Sequence, residues 1–581
     1  MLSGCDPLAS PAVDPSPLLV ARVVPDVTGL DKQFDYLVPD EMRARVALGS
    51  MVRVPLHGRR IGGWVVALGP PDGSVPLARL VPLAKWSGIG PSPEIIELAR
   101  WASSRWAAGR LRPLLVAASP PAMVGSLPPS VARANPVTVG AELPRVIRLP
   151  PAHDQIDVVI EALLRGAVLV VQPSVDEAHR LATALRQAGY TTAVHPDQWA
   201  RAAAGVDVVI GGRSAVWSPC AAMRSIVVLD EHDEALQEER SPTWHARDVA
   251  IERSGRAGVP CVLVSPCPSA TALHWAGPAL RRPAVSDERD GWPILELVDR
   301  SKEEPWKRSL LTSPLIQHLR HVGRRVICVH NTKGRARLLA CRSCKSLQRC
   351  ERCQAAVGQD DSGSLACRRC GTVRPVVCQN CGSGALALIR PGVTRLREEI
   401  EAAARRPVGM VTGDIESLPD CEVLIGTEAV LHRATGADVV AFLDLDAELL
   451  APRYRAGEQA MALLARAARL VGGRDGGGRL LVQTFLPRHE VLQSVLHADP
   501  SRAAKVELSR RQSLGLPPFA ALAAVSGVGA AEFAATTGLE ATSAGDVVLL
   551  RAPTWDQLGL AIAGAPRPKG SRLRIEVDPA R

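Results

Sequence analysis

Residues 341–381 read CRSCKSLQRCERCQAAVGQDDSGSLACRRCGTVRPVVCQNC and hold eight of the 14 cysteines as four C-x2-C pairs: Cys341 with Cys344, Cys350 with Cys353, Cys367 with Cys370, and Cys378 with Cys381. A C-x2-C pair forms a tight knuckle that aims two thiolates at one ion, and tetrahedral zinc takes two such pairs. Four pairs therefore predict two Zn2+ ions per chain. No ligand position is left for an activated water, so the metal is structural rather than catalytic. The paired knuckles favour zinc over an iron–sulfur cluster or free thiols. Spacing alone leaves open which pairs share an ion.

Outward from this segment the chain alternates apolar runs with helical stretches. Upstream lie AVLVVQP (167–173), VDVVIGG (206–212), SIVVLDE (225–231) and VPCVLVS (259–265), with the amphipathic VDEAHRLATALRQAG (175–189) among them. Around and after the cysteines come RRVICVH (324–330), VGMVTGD (408–414), CEVLIGT (421–427), VVAFLDL (439–445) and LLVQTFL (480–486). Continuous apolar strands alternating with helices predict parallel sheets covered on both faces. Two α/β lobes in tandem are expected, at 146–290 and 291–500, the second interrupted at 341–382 by the cysteine insertion. Before them, LLVARVV (18–24), SMVRVPL (50–56) and IGGWVVAL (61–68) read as strands of a mostly-β domain over 18–90. Residues 93–108 read as a helix, and 117–145, rich in Pro, Ala and Ser, as a linker. A small α+β domain is expected over 501–581.

The formal charge is +10 with a pI near 9.1, which favours a polyanionic partner, nucleic acid first. Aromatic residues make up only 3%, too few for a long base-stacking platform. No apolar run is long enough for a membrane span, so no membrane partner is expected. Residues 1–17 lack the features of a secretion signal and read as a disordered tail, which predicts a cytoplasmic protein. Near the knuckles, Lys333, Arg335, Arg337, Arg342, Lys345 and Arg349 form either a nucleic-acid face or a counter-charge to the thiolates. Each tetrathiolate zinc carries about two negative charges, which would lower +10 to roughly +6.

Motifs along nearly the whole chain resemble the PriA family of replication restart proteins. They are FDYLVP (34–39), SMVRVPLHGRR (50–60), VVIGGRSAVWSP (208–219), DEHDEALQEERSPTWHARDVA (230–250), the cysteine segment, VLIGTE (423–428), RYRAGEQ (453–459), LLVQT (480–484) and SRRQSLGLPPF (509–519). The resemblance implies two RecA-like helicase lobes, a 3′-end-binding N-terminal domain and a reduced winged-helix region within 91–145. It implies that Cys341, Cys344, Cys378 and Cys381 hold one zinc and Cys350, Cys353, Cys367 and Cys370 the other. It also implies a DNA 3′-end pocket at Phe34, Asp35 and Tyr36: Asp35 accepts from the terminal hydroxyl and an aromatic ring stacks on the last base. Phe34 and Tyr36 also alternate as core residues would. One pocket lysine of the family falls on Val81, with Arg79 and Lys85 near it. Forked or 3′-ended DNA, single-stranded-DNA-binding protein and replicative helicase loading proteins are the implied partners.

The nucleotide motifs depart from that pattern. A phosphate cradle needs glycines and a lysine. The expected position reads IRLPPAHDQIDVV (147–159), and none of the eight lysines lies between Trp86 and Ser301. Leu229 stands at the magnesium-ligand position. Asp230 substitutes only if the strand shifts by one residue, and the acidic cluster otherwise reads as a solvated strand end. Leu470 and Gly473 stand where arginine fingers are expected, with Arg469 and Arg474 beside them. Ser265-Pro266-Cys267-Pro268-Ser269 and LHRAT (431–435) replace two further motifs. The expectation is a scaffold for reloading the replicative helicase, without ATPase activity or catalytic residues. The alternatives are an ATP-dependent 3′–5′ helicase and a zinc-ribbon interaction protein without DNA function.

Overall fold

Alternation of apolar residues through the N-terminal region builds a sheet of order β5-β2-β1-β4-β3-β6, where β1 is Val20–Pro25, β2 Phe34–Leu37, β3 Met51–Leu56, β4 Arg59–Gly69, β5 Val81–Pro82 and β6 Lys85–Gly88. The computed structural model describes residues 18–30, 32–73, 75–133, 143–301, 309–331, 338–359, 363–388, 396–411 and 417–580. The tail at 1–17 and the basic residues Lys333, Arg335 and Arg337 lie outside them. Helices α1 (Pro93–Arg105) and α2 (Arg112–Ala118) follow, both with proline in their first turn, where a missing N–H costs nothing. From there to 133 the chain forms no strand among the described residues.

The first lobe is a parallel sheet in the order Leu280–Arg281, Val146–Arg148, Cys261–Ser265, Met223–Val228, Ala167–Val171, Val208–Gly211, Thr192–His195. The second runs Ile294–Asp299, Arg479–Thr484, Val439–Phe442, Val326–Val329, Val423–Gly426, Val408–Val411, again parallel throughout. Helix α3 (Ala456–Val471) buries Ala460, Leu464 and Ala468 on the second sheet and turns its arginines toward the first lobe. Helix α4 (Ser501–Leu514) packs on Glu490–Leu496 of the second lobe, so the residue expected to open the last domain lies on that lobe. The final antiparallel sheet, Glu540–Ala544, Val547–Ala552, Ala521–Val528, Arg572–Val577, starts after it.

One apolar cluster runs through four of these units. It joins Val24, Trp64 and Val66 to Leu98, Trp106 and Leu114, then to Trp217 and Val228 of the first lobe, and to Phe533, Leu558 and Val577 of the last sheet. Trp64 donates to Ser119 Oγ (2.8 Å) and Trp199 to the Ala118 carbonyl (2.9 Å), which satisfies both buried indole N–H groups. At Gly559 a Cβ would stand 2.4 Å from the Ser104 carbonyl, so only glycine lets the last helix lie so close to α1.

Two histidines are sealed into the first lobe, His195 at 2% and His245 at 3% exposure. Burial pushes both imidazoles down, His195 to about 4 and His245 well below its ordinary value. The folded chain keeps them neutral, whereas the unfolded chain protonates them below about pH 6.5. Their stabilisation is complete above about pH 6.5 and is lost as pH falls toward 4. The thermal midpoint, followed by circular dichroism, is expected to drop between about pH 6.5 and 4.5. The drop should be smaller in His195→Gln.

Candidate functional site

The cysteines gather into two groups, Cys341, Cys344, Cys378 and Cys381 outside and Cys350, Cys353, Cys367 and Cys370 inside, the four Sγ of each lying within 4.8 Å of one another. All four knuckles close with one backbone bond: Lys345 to Cys341, Gln354 to Cys350 and Gly371 to Cys367 at 2.9 Å, and Gly382 to Cys378 at 2.8 Å. Each donor residue stands in the left-handed region, at φ 65°, 61°, 75° and 74°. Lys345 and Gln354 take this conformation without glycine's freedom, which an ordered knuckle must hold in place. Sγ–Sγ separations across the pairs are 3.4–3.5 Å. Zn–S bonds of about 2.3 Å give tetrahedral edges of about 3.8 Å, so both groups fit a metal of that size. The second pair of the inner group encloses Arg369, which donates to the Tyr454 carbonyl (2.8 Å) and approaches Glu507 (3.5 Å). That arginine ties the inner knuckle to the second lobe and α4. Arg342 and Lys345 are exposed near the outer group, as is Cys381 itself.

In the N-terminal sheet the three expected pocket residues separate. Tyr36 points into the core at 5% exposure, its hydroxyl donating to the Pro55 carbonyl (3.1 Å), and Phe34 packs half-buried on the same cluster. The Tyr36 ring is closed off from a base, and strand alternation turns both aromatics toward the core and Asp35 to the other face. Asp35 lines a recess of about 140 Å³ with Arg22, Leu68, Pro70, Pro71, Asp72 and Leu80 among its walls. Arg22, its cross-strand partner, holds both carboxylate oxygens, Nε to Oδ1 at 2.8 Å and Nη2 to Oδ2 at 2.9 Å, and also reaches Asp72 (2.9 Å). Hydrogen bonds to Asp35 and then Asp72 raise the Arg22 guanidinium pKa above its ordinary value, so it stays charged. Nothing in the sequence pattern had marked Arg22.

Between the lobes the acidic cluster is not a solvated strand end. Asp230 is 2% and Glu231 0% exposed. Leu229 packs inward in the first lobe, and a left-handed φ of 49° at Asp230 turns the next carboxylate into the cleft without any register shift. There Arg469 of α3 grips it with two bonds, Nη1 to Oδ2 at 2.5 Å and Nη2 to Oδ1 at 2.8 Å. One turn earlier on α3, Arg466 pairs with Asp233 and stands 3.8 Å from Glu177. Burial alone would push the Asp230 carboxyl up; the Arg469 charge and its hydrogen bonds overcome this and hold it well below the usual carboxylate range. Asp233 is lowered in the same way by Arg466. Glu231 accepts from the backbone N–H (2.6 Å) and hydroxyl (2.9 Å) of Ser269 and pairs with Arg247. It is spent on structure.

At the expected phosphate cradle the Pro150–Ala152 turn packs against Gly291, and residues between Ile147 and Val158 line a cavity of about 450 Å³ with no lysine in its walls. Ala152 donates to the Gly291 carbonyl (3.2 Å), and a Cβ on Gly291 would meet Pro150 at 2.4 Å. A Cβ on Gly473, one expected finger position, would stand 2.4 Å from the Asp290 carbonyl, so no arginine fits there. Leu470, the other, packs against the core of the second lobe.

Two outcomes follow. Under a graded chelator the exposed outer group should release its ion before the buried inner one, and Cys341→Ser should lower elemental zinc from two ions per chain to one. In the cleft, Arg469→Ala strands a buried carboxylate and should cost about 3–5 kcal/mol in denaturant unfolding, whereas Asp230→Asn leaves an arginine that reaches water and should cost less. Combining the two should recover much of the loss.

Several known proteins are similar to this chain. The model of the PriA 3′ DNA-binding domain matches residues 22–117. Replication restart protein PriA of Haemophilus influenzae is 27% identical over 346 residues, 55% of this chain and 47% of that protein. For the Bacillus subtilis protein the figures are 26%, 373 residues, 59% and 46%. The match thus spans less than half the length of these two. The probable replication restart protein PriA of Mycobacterium tuberculosis H37Rv is 28% identical over 571 residues, 86% of this chain and 85% of that one. Among solved structures, Saccharomyces cerevisiae Dbp5 bound to RNA and ADP BeF3 aligns over 73% of this chain and 98% of that one, with a TM-score of 0.36 and 13% identity. The similarity begins in a segment that matches its own family model and continues through 86% of the chain: the chain is similar to the PriA replication restart proteins and matches their 3′ DNA-binding domain over residues 22–117.

Proposed function

We propose that this chain binds forked or 3′-ended DNA through the Asp35 recess and serves as a scaffold for reloading the replicative helicase, without hydrolysing ATP. The observation that carries the reading is the pinned cleft: Asp230 and Asp233 are each engaged by an arginine of α3. Phosphoryl transfer needs fixed cations and a metal aimed at the γ-phosphate. Here Arg466 and Arg469 are committed to protein carboxylates, and opening the cleft would strand those carboxylates in a buried site. Two lobes so joined present a fixed frame, suited to holding DNA and partners in one geometry. Single-stranded-DNA-binding protein and helicase loading proteins are the partners this role requires. Asp35 supplies the acceptor for a terminal 3′-hydroxyl, and the structural zinc groups hold the insertion in shape. No helix among the described residues is long and apolar enough to cross a membrane.

Phosphate release measured with forked DNA present is expected to stay at background. DNA-stimulated turnover that disappears in Asp230→Ala would instead reveal a working metal site. In parallel, the protein should bind forks ending in a 3′-hydroxyl more tightly than forks ending in a 3′-phosphate, and Asp35→Ala should erase that preference. Equal binding of both forks by the unmodified protein would refute the end-recognition reading. Equal retention of duplex lacking any end would favour general charge attraction.

A further inference from the structure

Arg22 occupies an unusual place in the recess. It sits at a β-bulge, where the pairing of β1 with β4 shifts between Arg22 and Val23, and a bulge re-aims the side chain beside it. Its Nε and Nη2 are spent on Asp35 and Asp72, which lock the plane of the guanidinium. Nη1, with two N–H groups, donates to no protein atom among the described residues. An arginine fixed on one edge and open on the other is arranged to take a planar or tetrahedral oxyanion on the open edge. Leu80 lines the same recess; its neighbour Val81, where a pocket lysine was expected, is 47% exposed and outside that lining. Among the described residues, Arg22 is the one cation in the lining of this recess.

We infer that Arg22 grips the phosphate of the 3′-terminal nucleotide through Nη1 while Asp35 takes the terminal hydroxyl, with Asp72 holding the guanidinium in place. This rests on the end-recognition reading above and adds to it the residue that binds the phosphate. A terminal nucleotide offers both groups, a hydroxyl donor at one end of the sugar and a phosphate at the other. One cross-strand pair, Arg22 and Asp35, matches both. Asp72 orients Arg22 from a turn and, as a carboxylate, also opposes the incoming phosphate, so its removal should not weaken binding.

The test is fluorescence anisotropy of the full chain on a fork with a free 3′-hydroxyl, across a salt series. Arg22→Gln is expected to weaken binding about tenfold at low salt and to reduce the slope of log K against log salt by about 0.7, the signature of one lost single-strand phosphate contact. Arg22→Lys, which keeps the charge, should retain most of that slope, and Asp72→Asn should bind at least as tightly as the unmodified protein. Arg22 is 38% exposed on its side chain, so these variants should fold, which their thermal midpoints would verify. An unchanged slope in folded Arg22→Gln overturns the phosphate contact, as does Arg22→Lys losing as much slope as Arg22→Gln. Failure of the end-recognition reading is seen separately, in unmodified protein that ignores the chemistry of the 3′ terminus.

Discussion

The two-bond grip of Arg469 on Asp230 is the contact on which the arrangement of the lobes depends. Asp230 follows a strand of the first sheet and is almost sealed from water, while Arg469 belongs to the helix that covers the second. A carboxylate in such a place is tolerated only with a partner, and the arginine that grips it comes from the other lobe. The left-handed turn at Asp230 is what brings the carboxylate to it. Arg466 repeats the device one turn away on Asp233. Glu458, at the start of the same helix, accepts from the first N–H of the helix Ala270–Ala276 across the seam at 2.5 Å. Three contacts from one helix thus fix position and rotation together.

From this helix a chain of buried charges reaches the outlying parts. Arg511 of α4, 1% exposed, bonds Glu458 and Glu507. Glu507 meets Arg369 of the inner cysteine group. Arg455 and Tyr454 meet Asp578 at the end of the last strand, whose backbone carbonyl receives Gln237 of the first lobe. Every cation in this series is arginine. A planar guanidinium can serve two carboxylates or carbonyls at once and stays charged when buried, which an ammonium does less well. The chain's small stock of eight lysines fits that pattern.

Parts of this were legible in the sequence for a physical reason. The cysteine spacing encodes a local geometry, and continuous apolar runs encode strands covered on both faces. Both depend on neighbours in the chain. The recess and the cleft do not. Arg22 meets Asp35 only through the register of two strands, and Arg469 meets Asp230 across 239 positions. Motif matching placed Leu229, Leu470 and Gly473 at positions where nucleotide-handling residues were expected. It could not find the pairing of Arg469 with Asp230, because a positive φ at an aspartate leaves no periodic trace. The alternation of Phe34 and Tyr36 was visible from the start, and the sheet turned both inward as alternation demands.

The apolar cluster that joins Val24 to Val577 has a kinetic consequence. Within it the last helix meets α1 where Gly559 approaches Ser104, about 450 positions away, and closing so long a loop precedes any reward from the contact. The N-terminal sheet, α1 and the first lobe must therefore wait on the ribosome with Trp106, Leu114 and Trp217 uncovered until the last sheet is made. During that interval the exposed face is a surface for chaperones and a hazard for aggregation. Removing the last sheet would make the same exposure permanent on α1 and the first lobe, because the segment that covers them is translated last.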